Sequence, residues 1–189
     1  MLFLPLLSLG QEIGVTQPIA RNTLYGEAFG QGFCWSLNYD RLLNTDKKVM
    51  NSVTTGLVYV PTSLGFGGGV YYGVPVSYNW LVGKKSHRLE MGIGLTALFH
   101  NEVTRGWSTP YEESYFFGYL TPKIGYRFQR PRGGLFFRAT ASPMIDLINI
   151  RTVNAGNTKT RRFSSFSDVV GLGQPIFPWP GVSIGYTFK

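Results

Sequence analysis

The chain has 189 residues, enough for one domain with a sizeable core, and is 43% hydrophobic and 15% aromatic. Its 24 glycines and 11 prolines exclude long helices, because both residues are poor in helix interiors. The net charge of +8 raises the question of nucleic acid, but the cations form no stripe: they fall in short turns (Lys47, Lys48; Lys84, Lys85; Arg130, Arg132), in a long loop (Arg161, Arg162) or singly within strands, so no nucleic-acid partner is expected.

Residues 1–10, MLFLPLLSLG, are apolar, uncharged and too short to span a bilayer as a helix. Ser8 and Gly10 are placed for cleavage before Gln11, so this run reads as a secretory signal peptide without a basic start. Cleavage leaves no cysteine at the new N-terminus and hence no lipid anchor there. Residues 11–21 read as an N-terminal periplasmic segment, and 22–189 as the folded domain. No later segment offers the roughly 18 uninterrupted apolar residues of a membrane-spanning helix. The one cysteine, Cys34, excludes an intrachain disulfide.

From residue 22 the chain shows period-2 alternation. Residues 24–29 and 33–40 form a hairpin with Gly30-Gln31-Gly32 at its tip. A further strand precedes Pro61. In 70–82 one face carries Tyr72, Val74, Val76, Tyr78 and Trp80, and the other Tyr71, Gly73, Pro75, Ser77 and Asn79. The pattern repeats in 88–100 (Leu89, Met91, Ile93, Leu95 against Arg88, Glu90, Gly92, Gly94, Thr96), in 116–129, in 135–147 and in 177–188. Such lengths match or slightly exceed the roughly 9–11 residues of a tilted transmembrane strand. The second face is Gly, Ser, Thr and Asn with isolated charges, which suits a narrow barrel interior better than a soluble surface. Tight turns at 44–48, 83–86 and 130–134 alternate with longer connections at 61–69, 101–115 and 148–174, the pattern of short periplasmic turns and longer outer loops. Counting through that alternation predicts an all-β, closed antiparallel transmembrane barrel of eight strands. Ile124-Gly125-Tyr126-Arg127-Phe128 is echoed by Ile184-Gly185-Tyr186-Thr187-Phe188. With Tyr39, Tyr78 and Trp80, the residues Tyr126, Phe128, Tyr186 and Phe188 then form an interfacial aromatic girdle at one end of the downward strands. Pro75, Pro122 and Pro143 fall inside predicted strands and cannot donate to a ladder, so bulges or kinks are expected there.

Several runs carry a family resemblance: the apolar leader, Asn38-Tyr39-Asp40-Arg41, Asn79-Trp80-Leu81-Val82-Gly83-Lys84-Lys85, the stretch from Gly118 to Arg127, and the stretch from Pro178 to Tyr186. Together these cover nearly the whole mature chain, which resembles the small outer-membrane β-barrel families of Gram-negative bacteria. The resemblance implies residence in the cell outer membrane and contact with membrane lipid and lipopolysaccharide. It also implies handling by the outer-membrane insertion machinery, which in such families reads a final aromatic. Here Phe188 is followed by Lys189, a departure from that pattern.

Alternation puts Glu27, Asp40, Arg88, Glu90, Lys123, Arg127 and Arg138 on the inner face, with Asp146 a further candidate. Such a set can gate a pore or relay protons, but in a narrow lumen buried ions are expected to pair and fill the space. His100 has Glu102, Ser108 and Glu112 near it in sequence, yet no His-x-Ser spacing on the strand, so it reads as a polar loop residue. His87 lies beside a tight turn. No metal-ligand cluster, P-loop or G-x-G-x-x-G is present, and no cofactor or catalytic residue is expected. The sequence thus favours a non-enzymatic barrel with a structural or accessory role, such as a subunit of a larger outer-membrane complex. A narrow conduit for small or apolar solutes and a lipid-acting hydrolase are the alternatives.

Overall fold

A computed structural model describes residues 19–45, 47–61, 69–104, 111–155, 158–162, 176–177 and 179–189. The leader and most of the following segment, residues 1–18, lie outside the described residues. The strands are β1 (Asn22–Phe29), β2 (Trp35–Leu42), β3 (Val49–Val60), β4 (Val70–Lys84), β5 (His87–Thr104), β6 (Tyr111–Gln129), β7 (Gly134–Ala141), β8 (Met144–Ala155), β9 (Thr158–Arg162), β10 (Ile176–Phe177) and β11 (Pro180–Phe188). A 3-10 turn, Gly30–Gly32, joins β1 to β2.

Each of β1 to β6 pairs antiparallel with the next, β6 pairs with β7, β7 with β11, and β11 with β1, which closes the ring. β7 and β8 are halves of one strand: β6 pairs with β8 above and β7 below. β10 and β11 are likewise halves of the last strand, pairing in turn with β8 and β7. The wall is therefore a closed antiparallel barrel of eight strands, with β9 folded back on β8 as an outer hairpin. Around the ring closure leaves no free edge, as a sheet in lipid requires, while β9 and β10 each pair with β8 alone.

The wall is uneven. β1 and β2 have 8 residues each, whereas β5 has 18 and β6 has 19. The connections expected at 101–115 and 148–174 are accordingly shorter than the sequence pattern suggests, because β5 continues to Thr104, β6 begins at Tyr111 and β8 reaches Ala155. The backbone goes on pairing beyond the apolar band, where no face is lipid and no alternation marks it.

The prolines behave in two ways. Pro75 produces no bulge: it stays in register with Thr96, while the β3–β4 ladder skips from Thr55–Val76 to Val58–Gly73 without shifting. Pro122 likewise keeps its place opposite Ile93. Pro143, with Ser142, divides β7 from β8. The register shift that does occur lies at Gly118/Tyr119, against β8.

Side chains alternate as the lipid face requires. Val76, Ile93, Ile124 and Ile184 point outward and are 46–65% exposed, while their neighbours on the other face are buried or, at Gly92, Gly125 and Gly185, half-buried.

Candidate functional site: a filled lumen

Viewed from the end that carries the tight turns, the interior is layered. Leu42, Met50 and Leu81 form an apolar floor, with Ile19 packed against them from the N-terminal segment. Above lies an ionic layer on alternate inward positions of β1, β2, β5, β6 and β7. Arg127 meets Asp40 at 2.5 Å and Glu90 at 3.4 Å; Arg138 meets Glu27 at 2.7 Å and Glu90 at 3.2 Å; Lys123 lies 3.5 Å from Glu90. Three carboxylates thus face three cations, and all six side chains are 0–2% exposed. Neutral partners complete the coordination. Ser52 and Thr54 donate to Asp40 at 2.7 and 2.8 Å, and Lys123 donates to Ser77 at 2.9 Å. Arg127 Nε donates to Gln129 at 3.0 Å. The two guanidinium groups also lie over rings: Arg127 over Phe136 at 5.0 Å and Arg138 over Tyr25 at 4.6 Å. A paired, hydrogen-bonded set is the form in which charge tolerates burial.

Six of the seven inward charges named from the sequence come together in this layer. The seventh, Arg88, is buried lower on β5, where it donates to the Gln129 carbonyl at 3.4 Å. Register explains its separation: Arg88 stands directly opposite Arg127 across the β5–β6 pair, so like charge directs it away from the cluster. Asp146 is half-buried on β8, opposite Tyr119.

The third layer was not visible in the sequence. The Gly30–Gly32 turn bends into the barrel instead of capping a hairpin outside it. Gln31 is 3% exposed; its side-chain amide donates to the Val76 carbonyl at 2.9 Å, and its own carbonyl accepts from Thr96 at 3.0 Å. Phe29, Gly30 and Phe33 adopt positive φ of 60°, 65° and 66° to make this inward bend. Gly94 leaves room for it, since a Cβ there would stand 2.2 Å from the Gln31 amide nitrogen. The Gly-x-Gly spacing was the available signal, and it specifies a tight turn without specifying its direction.

Above the plug Phe33, Val58, Val60, Tyr71, Leu98, Tyr115, Phe117, Tyr119 and Met144 form an apolar cluster, with Cys34 and Trp179 packed against it. Trp179 stacks on Phe33 at 5.5 Å and donates its indole N–H to the Phe33 carbonyl at 2.7 Å. His100 belongs to this layer and is not a loop residue: it is 2% exposed on β5 and stacks on Tyr71 at 4.0 Å. The side chains of Glu102, Ser108 and Glu112 lie outside the described residues. Glu113, in β6, pairs with Arg151 at 2.6 Å and accepts from Tyr115. His87 opens β5 and lies 2.5 Å from the Tyr126 hydroxyl.

Outside, Tyr39, Tyr78, Trp80, Tyr126, Phe128, Tyr186 and Phe188 all point away from the lumen near the tight-turn ends of β2, β4, β6 and β11. A second set, Phe29, Trp35, Tyr59, Tyr72 and Phe99, is exposed near the opposite ends of its strands. Two aromatic belts separated by exposed Val, Ile and Leu are what a bilayer-spanning barrel presents to its two interfaces.

Among solved structures the fold is similar to that of a major outer membrane protein from Thermus thermophilus, with a TM-score of 0.57 at 12% identity over 89% of this chain and 98% of that one. CarO and CarO2 of Acinetobacter baumannii align over 90% of this chain and 98% and 99% of theirs, each with a TM-score of 0.38 at 11% and 10% identity. No protein-family model matches the chain, and no curated protein matches it at a significant level. Closed topology, apolar exterior and paired belts define the class: the chain is a small eight-stranded β-barrel of the bilayer-spanning kind, with the fold of the Thermus outer membrane protein.

Proposed function

We propose that this is a non-enzymatic barrel that conducts nothing along its axis and serves a structural or accessory role, such as a subunit that offers its outer wall to a larger outer-membrane complex. The carrying observation is the lumen itself: an apolar floor, a charge-balanced ionic layer, an inserted turn and an aromatic cluster lie one above another. An eight-stranded interior is just wide enough for side chains to fill. Membrane lipid, lipopolysaccharide and the insertion machinery complete its partners in this reading.

Planar-bilayer recording of the purified barrel tests it. Negligible current is the expected result, and a large, steady single-channel conductance would replace this reading with that of a narrow channel. Purification from native membranes, with identification of co-purifying proteins, then names the complex.

A further inference from the structure

The wall's ladders are interrupted at proline in two places, and the longer interruption lies between β6 and the split strand β7/β8. The β6 ladder pairs Leu120 with Ile145 and resumes at Ile124 with Ala141 in the same register, leaving Thr121, Pro122 and Lys123 facing Ser142, Pro143 and Met144 without ladder bonds. Pro122 and Pro143 stand opposite each other, and neither has an N–H. A narrow antiparallel pair needs one donation from each partner, so both hydrogen bonds of that pair are gone. The loss of these two bonds accounts for all three missing pairs. On the other side of the split strand, Ala141 pairs with Pro180 and Met144 with Phe177, and the Ser142 N–H donates to the Trp179 carbonyl at 2.8 Å.

The inner side of this gap is polar and unfinished. Thr121, Thr140 and Ser142 are 0, 7 and 1% exposed, and none of their hydroxyls has a hydrogen-bond partner among the described residues. Lys123, within the unpaired stretch, has the longest ion pair of the ionic layer, 3.5 Å to a Glu90 that two arginines also share. In the bilayer core an unbonded backbone is tolerated only where something else satisfies it. A broken ladder in front of vacant hydroxyls, beside an ammonium that Ser77 holds at 2.9 Å and whose one carboxylate partner, Glu90, two arginines also share, makes it an entrance.

We propose that the β6–β7/β8 seam at Pro122 and Pro143 is a lateral port that takes the head of a single-chain carboxylate amphiphile from the bilayer. The carboxylate is received by Thr121, Ser142 and Lys123, and the hydrocarbon chain remains in the membrane against the unbonded stretch of the two strands. A gap of three residue pairs matches one chain, so diacyl lipid serves as the contrast in the test. The port leaves the axial route shut, so it adds to the accessory reading without depending on it.

The test uses the full barrel in phosphatidylcholine vesicles, stearic acid with a nitroxide at carbon 5 as probe, and tryptophan fluorescence as readout. Trp179, beside Ser142, reports the port; Trp80, exposed on the outer wall, reports the surrounding lipid. Each is isolated by replacing the other tryptophans with Phe. The sealing variant P122V/P143V gives the pair back its two donors. It is expected to fold more stably, to lower Trp179 quenching at least threefold, and to leave Trp80 quenching unchanged. K123M is expected to raise the half-saturating stearic acid concentration at least fivefold while leaving that of a nitroxide stearyl alcohol unchanged. Should P122V/P143V fail to fold, T121C/M144C in a C34S background closes the seam with a disulfide, and Trp179 quenching should rise in that same variant when the disulfide is reduced. Equal Trp179 quenching in open and sealed barrels overturns the proposal, as does equal quenching by nitroxide phosphatidylcholine. Bilayer current, recorded separately, judges only the axial closure.

Discussion

Glu90 is the carboxylate that three cations share, at 3.2, 3.4 and 3.5 Å from Arg138, Arg127 and Lys123. Glu90→Gln keeps the shape and removes the charge, leaving Lys123 with no other ion pair among the described residues. Stranding buried charge in this way costs about 3–5 kcal/mol, read as a lowered urea midpoint for refolding into vesicles. Glu113→Gln is the contrast, because its partner Arg151 is 37% exposed and such pairs contribute about 0–1 kcal/mol. Equal losses for the two would show that the ionic layer does not hold the barrel. On the outer face depth decides the outcome. Ile93→Arg should cost about 2–4 kcal/mol and Leu89→Arg, nearer the turn, about 0–1 kcal/mol. The inward and outward faces were legible because a strand side chain has only two directions. The opposing sets were legible too, Glu90 with Glu27 or Asp40 against Lys123, Arg127 or Arg138; which member meets which was not, since barrel shear decides it: Arg138 reaches Glu27 and Glu90, which are not on strands neighbouring its own.

Strand number was legible because loop length and apolar alternation both report membrane crossings. Strand length was not. Asn101 to Thr104 and Tyr111 to Ser114 pair as β5 and β6 with no apolar face, since above the bilayer only the backbone demands pairing. The prolines divide for a similar reason: Pro75 removes one donor and interrupts the β3–β4 ladder for two pairs, whereas Pro122 and Pro143 coincide and interrupt theirs for three, and coincidence across strands cannot be seen before the register is known. Orientation follows from the elements. With Cys34 replaced by Ser, a cysteine at Thr160 in β9 should react with an impermeant thiol reagent on intact cells, and one at Ser86 in the β4–β5 turn should react only after the outer membrane is permeabilised. The opposite labelling would turn the barrel over in the membrane.

For the molecule as a whole, the proposed reading makes the lumen's layers closures in series along one axis. The floor of Leu42, Met50 and Leu81, the ionic layer and the Gln31 plug beneath the aromatic cluster lie one above another in the same narrow lumen. In series, the current is set by the tightest element, so removing one layer leaves the others in control. Leu81→Ala opens the floor and should destabilise by about 2–5 kcal/mol through the cavity it leaves. It should nevertheless show no more current than the unaltered barrel. Glu90→Gln should behave the same way: a weaker barrel, equally silent in a planar bilayer. A steady current from either single substitution would mean that the layer it touches is the one gate of an otherwise open lumen, and the axial route would then be a channel held shut at that level.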